Sequence, residues 1–372
     1  MEEENSSAPT RGYSWFPGHM RKAMRQLDEH LDLADIVLLV MDARIPASSR
    51  QPELEEMLKK RQKETIIVLN KSDLADEAET KRWLAWFKAQ NTAAVAMRSV
   101  NGKGAGPLES AIAQVRRKVQ EKRRAKGLRP RDPRLIVAGI PNVGKSSLLN
   151  RLAGSVRAKT GARPGVTRGN QWVGVPGCWQ ILDSPGILYP RIDNENILTA
   201  LAAASCVKHD AIPLELVGAK LLQKLLILGK TDGLLDESLK KARKETAASA
   251  PAEELLAEFC RSKGFYLNGQ EPDLIRGSRF VLKAFAQGEI GRVTLEKAPA
   301  LPDPAASEAK TPDASEAPPA AAAPADSRTA AAAGSQTSAS ASSKTAPPPT
   351  AKRRTTLASL ASRSSDGGRR RR

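Results

Sequence analysis

Several short, continuous apolar runs punctuate the first half of the chain, each ending in polar or glycine-rich residues. Ile36-Val37-Leu38-Leu39-Val40-Met41 is one, Thr65-Ile66-Ile67-Val68-Leu69 a second, and Leu135-Ile136-Val137-Ala138 a third. Runs of this length without alternation predict strands buried on both faces of a parallel sheet. Between them the spacing becomes helical. Met20, Ala23, Met24, Leu27, Leu31 and Ala34 share one helical face, and Glu53–Lys60, Lys81–Ala89 and Leu108–Arg124 predict further helices. Trp83, Leu84, Trp86 and Phe87 supply the core face of the helix over 81–89. Ala93–Met97 predicts a weaker strand, and Trp172–Val175 with Trp179–Leu182 predict a hairpin across Pro176-Gly177. Strand and helix in alternation argue for an open, mostly parallel α/β sheet with helices on both faces, which takes ligands beyond the carboxyl ends of its strands.

From about Ala200 the pattern is helical throughout, over Leu214–Leu228, Pro251–Gly264 and Asp273–Gln287, with a short extended stretch expected at Ile290–Leu295. Beyond Lys297 the chain is Ala, Pro, Ser and Thr with scattered charge and cannot offset chain entropy by burial. The expected organisation is therefore a disordered N-terminus (1–14), an α/β domain (15–205), a small all-α domain (206–297) and a disordered basic tail (298–372).

Charge changes the picture next. With 59 Lys and Arg against 41 Asp and Glu, the net charge of +18 favours a polyanionic partner, most simply nucleic acid. No apolar stretch approaches the roughly 20 residues a bilayer demands, so no membrane partner is expected. Met1-Glu2-Glu3-Glu4 suits neither a signal peptide nor an acid-poor transit peptide. Cys178, Cys206 and Cys260 form no metal spacing and no even set. A cytoplasmic monomer with free thiols is the expectation.

Candidate chemistry centres on residues 139–146. Gly139, Gly144, Lys145 and Ser146 fit G-x-x-x-x-G-K-[ST], a loop whose backbone N–H groups cradle phosphates at a helix N-terminus. Val143 and Ser147 flank the cradle, Lys145 is placed to reach the β- and γ-phosphates, and the Ser146 hydroxyl to bind Mg²⁺. Asn70-Lys71-Ser72-Asp73 matches N-K-x-D, whose Asp accepts hydrogen bonds that guanine offers and adenine does not. Backbone around Ser99, Val100 and Asn101 would meet the guanine oxygen. Asp183-Ser184-Pro185-Gly186 matches D-x-x-G, with Asp183 near Mg²⁺ and the Gly186 N–H at the γ-phosphate; Thr167, in Pro164-Gly165-Val166-Thr167, is a further Mg²⁺ candidate. GTP and GDP are the implied ligands.

The order of these strings is unusual. A Ras-like GTPase runs P-loop, switch threonine, D-x-x-G, N-K-x-D, whereas here N-K-x-D comes first (G4-G5-G1-G2-G3). A circularly permuted Ras-like P-loop GTPase domain satisfies both the order and the alternation, since domain termini often lie close together. This order, with Trp15-Phe16-Pro17-Gly18-His19-Met20, Asp42-Ala43-Arg44-Ile45-Pro46 and Gly139–Ser146, resembles the YlqF/RbgA type of ribosome-biogenesis GTPase over about residues 15–297. The resemblance implies a role in late assembly of the large ribosomal subunit, with hydrolysis stimulated by the particle.

Ile187 stands where Ras-like enzymes carry a water-orienting Gln, so slow intrinsic turnover is expected. The resemblance implies that His19 takes over that role and that Asn142 helps hold K⁺; a capping histidine at a helix start would read the same from sequence. The basic run over 115–134, with Arg116, Arg117, Lys122, Arg123 and Arg124, and Arg276 and Arg279 in the helical region, are the candidate rRNA contacts. A GTP-regulated scaffold with negligible turnover, or a GTPase of the small or a mitochondrial ribosomal particle, are the other readings open from sequence.

Overall fold

The computed structural model describes residues 13–14, 18–131, 133–154, 172–175, 179–183, 191–235 and 246–301; for 13–14, 18–23, 172–175, 179, 183 and 191 it describes the backbone alone. These residues belong to a compact unit over Met1–Lys310.

Six strands form one sheet in the order β4-β3-β2-β5-β7-β6. They are β2 (Ile36–Asp42), β3 (Glu64–Asn70), β4 (Ala93–Ala96), β5 (Arg134–Ala138), β6 (Trp172–Val175) and β7 (Trp179–Asp183). All neighbours run parallel except β6, which pairs antiparallel with β7 as the expected hairpin. A two-residue ladder, β1 (Tyr13–Ser14) with β8 (Arg191–Ile192), stands apart.

The continuous apolar runs serve both faces of the sheet, because successive side chains on a strand point to opposite sides. Val37, Leu39 and Met41 of β2 join Ile67, Leu69 and Ile136 beneath α1 (Gly18–Leu31), α2 (Pro52–Lys60) and α3 (Glu77–Ala89), where Leu27, Leu31, Leu54, Leu58, Trp83, Trp86 and Phe87 cover them. Ile36, Leu38 and Val40 face the other way with Ile66, Val68, Leu135 and Val137, under α4 (Ala105–Ala125) and α5 (Lys145–Leu152). On α4 the buried residues Leu108, Ile112, Val115 and Val119 lie at helical intervals, which leaves its arginines outward.

This second cluster runs without a break into the helical region: α6 (Glu195–Ala203), α7 (Leu214–Ile227), α8 (Ala252–Ser262) and α9 (Leu274–Gln287). Helix α7 packs against α6, α8 and α9. The α7–α9 approach is close because Gly218 lacks a side chain: a Cβ there would lie 2.6 Å from the Ser278 Cα.

The stretch expected to be extended at Ile290–Leu295 forms no strand; it crosses the strand ends as an irregular strap. Val293 N–H donates to Leu74 O (2.9 Å) and Leu295 N–H to Arg44 O (2.8 Å). The Thr294 hydroxyl accepts from Asp76 N–H (3.0 Å), Trp83 Nε1–H donates to Glu296 O (3.1 Å), and the Glu296 carboxylate accepts from Ser48 N–H (3.0 Å).

Candidate guanine-nucleotide site

The loops after β2, β3, β4, β5 and β7 all leave the sheet at its carboxyl edge, where a permuted order and a direct order of strands give the same neighbours. The loop after β5 is the expected P-loop. Gly139 adopts φ +146, and a Cβ there would lie 2.3 Å from Val40 O, so only glycine lets the loop turn against β2. Gly144, at φ +97, caps α5 in the left-handed region. Its missing side chain leaves room for Asn70, whose Nδ2 lies 2.2 Å from the position a Cβ would take. The first turn of α5 then sets the positive end of its dipole at the loop, the usual physics of anion binding. Lys145, buried in that turn, donates from Nζ to Ile140 O (2.9 Å) and spans the loop. Asn142, at φ +59, donates from Nδ2 to Ser205 O (2.5 Å), which ties the loop to the turn after α6.

Asn70 joins three loops. Its Nδ2 donates to Val143 O in the P-loop (2.7 Å), while its Oδ1 accepts from both the Ser99 N–H (3.1 Å) and the Ser99 hydroxyl (2.8 Å). The residue is 3 % exposed, so this amide is fully committed to bringing the N-K-x-D turn, the Ser99 loop and the phosphate loop together. Asp73 follows in the turn, one quarter exposed, with its carboxylate 3.0 Å from the Arg98 guanidinium. Lys71, at φ +57, directs its ammonium to Asp42 at the end of β2 (2.9 Å). Through Asn70 the neighbouring strands thus bring the N-K-x-D turn, which carries Asp73, and the P-loop together at one edge of the sheet.

Known proteins agree with that geometry. The family model described as 50S ribosome-binding GTPase matches residues 134–241. Ribosome biogenesis GTPase A of Bacillus cereus is 36% identical over 282 residues, 76% of this chain and 93% of that protein. The Bacillus pumilus protein of the same name is 38% identical, covering 76% and 98% respectively. GDP-bound YlqF from Thermotoga maritima superposes with a TM-score of 0.53 at 27% identity, over 73% of this chain and 99% of that one. The chain belongs to the ribosome biogenesis GTPase A (YlqF/RbgA) family. It is a GTPase with the permuted P-loop fold and acts in ribosome biogenesis.

In this ribosome biogenesis GTPase the remaining sequence candidates fall in three groups. Ser99 is buried against Asn70, whereas Val100 and Asn101 are exposed beyond it, with Val100 86 % accessible. Ser146 and Ser147 lie half-buried in the first turn of α5. His19 is in the first turn of α1 and Asp183 is the last residue of β7, each described by backbone alone; Thr167, Gly186 and Ile187 lie outside the described residues. The family generally uses Mg²⁺. The residues fit such an ion: β5 and β7 are neighbours with Val137 opposite Asp183, which sets a carboxylate-bearing strand end beside the loop that carries Ser146.

Among the basic candidates, Arg116, Arg117 and Arg124 line an open groove on the outer face of α4 with Ala113, Gln120 and Glu121. Lys122 pairs with Glu64 (2.6 Å), and Arg123 donates to Arg129 O (3.0 Å). Arg276 and Arg279 are exposed on α9, with Arg276 stacked 4.5 Å over the Phe265 ring. Arg292, on the strap, is exposed; it donates to Ala75 O (3.0 Å) and Ser72 O (3.2 Å) and pairs with Glu77 (3.2 Å). No helix among the described residues is long and apolar enough to cross a membrane.

Sequence reading did not find the partners of the N-K-x-D turn. Arg98 stands next to the Ser99 loop, yet no spacing announces that it faces Asp73. Asp42 and Arg44 stood in a motif that carries the family resemblance, which does not say what their side chains contact. Cys206, whose thiol is pushed up to about 12 by burial, lies near the same charges and is an inert packing residue.

Proposed function

We propose that this GTPase works in the cytoplasm on late assembly of the large ribosomal subunit, gripping rRNA through its basic faces and hydrolysing GTP slowly until the particle accelerates it. The observation that carries this reading is the junction at Asn70, where a guanine-type turn and a phosphate loop meet although they stand 73 residues apart in the chain. The 50S ribosome-binding description of the matched family model points to the large subunit, and the exposed arginines of α4 and α9 supply charge for rRNA.

In this reading Asp73 accepts from guanine N1–H and the N2 amine, Lys71 covers the base, and backbone at Ser99, Val100 and Asn101 meets the guanine oxygen. The N–H groups of Val143, Gly144, Lys145 and Ser147 hold the phosphates. Ser146, Thr167 and Asp183 would hold Mg²⁺, which would supply positive charge to neutralise the phosphates. Lys145 and the α5 dipole stabilise the charge that develops as the γ-phosphate leaves, and the Gly186 N–H senses that phosphate. Ile187 can neither orient nor deprotonate water, so attack waits on His19, which the particle presses into place. Asn142 would help hold K⁺, which would add positive charge at that step.

The test is co-sedimentation with separated subunits under GDP or a non-hydrolysable GTP analogue, paired with turnover of wild type and His19→Ala. The expected result is nucleotide-dependent binding to large subunits and stimulated turnover that His19→Ala loses. Binding to small subunits alone, or no stimulation by any particle, overturns the reading. Equal stimulated rates in the two proteins remove His19 from it.

A further inference from the structure

We propose that Asp42 and Arg44 are positioning residues for guanine recognition, a buried relay through which the last helix holds the base-reading turn in its working geometry. The inference rests on the reading of Lys71 and Asp73 given above.

The relay is read from contacts. The Asp42 carboxylate, fully buried, accepts four hydrogen bonds. Arg44 N–H and Nε reach Oδ1 (3.0 Å each), and Arg44 Nη2 and Lys71 Nζ reach Oδ2 (2.9 Å each). Arg44, 1 % exposed, turns its remaining nitrogen away: Nη1 donates to Phe285 O (2.7 Å) and Ala286 O (3.3 Å), the carbonyls at the end of α9. Its guanidinium also lies 4.8 Å from the centre of the Phe285 ring. The α9 terminus is thus capped by a cation anchored 241 residues earlier, and that cation's counter-ion is the group that holds Lys71.

A turn of this kind needs an external hold. Lys71 is a non-glycine residue in the left-handed region, a conformation that persists only where surroundings over-determine it. Its backbone accepts from Leu74 N–H (2.9 Å), and the next residue donates to Met97 O (3.2 Å). The side chain's bond to Asp42 supplies the third constraint. The strap adds the same tie from the other side, through Arg292 on Ser72 O and Val293 on Leu74 O. A charged, fully buried pair contributes little net stability compared with apolar packing, so its value lies in specifying one arrangement. Here that arrangement is the orientation of Lys71 and, two residues on, Asp73.

The experiment uses the full chain and a fluorescent GDP analogue. Asp42→Asn and Arg44→Met are each expected to weaken binding by about ten-fold, chiefly through faster dissociation, while far-ultraviolet circular dichroism stays native. In a Lys71→Met background, Asp42→Asn is expected to change affinity by less than about two-fold, because the contact that transmits its effect is already gone. If Asp42→Asn loses the same factor in both backgrounds, the pair is merely structural and the proposal is overturned. Should Arg44→Met fail to fold, Gly288→Ala is measured in its place. A Cβ at Gly288 would lie 2.6 Å from Leu74 Cδ2 and so pushes the end of α9 against the same turn; unchanged GDP affinity in that variant counts against the relay. Asp73→Asn separates the two levels, since an asparagine amide can donate to xanthine where a carboxylate repels it. A shift toward the xanthine analogue beside unchanged affinity in Asp42→Asn and Arg44→Met sinks the relay alone; no shift sinks the base-reading role itself.

Discussion

Asn70 does with one amide what the fold needs at its least local point. Both ends of that amide are buried and used, so Asn70→Ala leaves the Val143 carbonyl and the Ser99 donors without partners. The expected cost is about 2 kcal/mol of stability, with weakened nucleotide binding, read by urea unfolding and by GDP titration. Gly144→Ala is expected to be worse for binding than for folding, because a methyl placed against Asn70 Nδ2 spreads the two loops apart; titration of the same analogue checks it. At this scale the sequence was informative wherever chemistry is written in consecutive residues, as in Gly139–Ser146 or Asn70–Asp73. It was silent wherever a residue acts on a distant partner. Arg98 on Asp73 and Arg44 on Phe285 leave no local trace, since the geometry that joins them is made only by the packed sheet.

Among elements, the buried runs predicted strands well because parallel strands covered on both faces have little freedom in composition. Helix α3 was expected from Lys81 but begins at Glu77, a turn earlier. Its first turn is polar, and the available signal was the cap: Asp76 Oδ1 accepts from Glu79 N–H (3.0 Å) in a D-x-x-E pattern. The strap was misread because backbone bonds to Leu74 and Arg44, rather than its own residues, set its shape. Close packing of α7 on α9 makes Gly218→Ala costly by roughly 1–3 kcal/mol, measurable by thermal unfolding, since backbone at Ser278 must move.

Glu296 on the strap and Asp42 at the end of β2 give stability a pH dependence of two signs. Burial raises the Glu296 pKa above its ordinary 4.5 despite bonds from Ser48, so the folded state favours its proton and stability rises as pH falls through the raised pKa toward that ordinary value. Burial would likewise raise Asp42, but Arg44 and Lys71 override it and hold the carboxyl well below the ordinary 3.8; its contribution is present above that value and lost on further acidification. Urea midpoints across this range test both, and Glu296→Gln should remove the rise while leaving the acid fall.

Across the whole molecule, one apolar cluster continues from the sheet into α6–α9, so the two layers are expected to unfold together. Coincident transitions by tryptophan fluorescence and circular dichroism check this, and separated transitions refute it. With a net charge of +18, the proposed grip on RNA particles is expected to be strongly salt-dependent. Affinity should fall steeply between roughly 50 and 200 mM salt as counterions cease to be released, while GDP affinity changes little. That charge, and the helical region, were plain in the composition and periodicity. The continuity of the core was not, because a period shows which face of a helix is buried and never against what.

The indole of Trp83 is hydrogen-bonded to the Glu296 carbonyl and shielded from solvent. The molecule therefore carries a native optical gauge at the seam between strap and sheet. If the strap lifts during the nucleotide cycle, water reaches that ring and its emission shifts to the red. A stopped-flow trace on a chain keeping Trp83 as its only tryptophan would time the event without any attached dye.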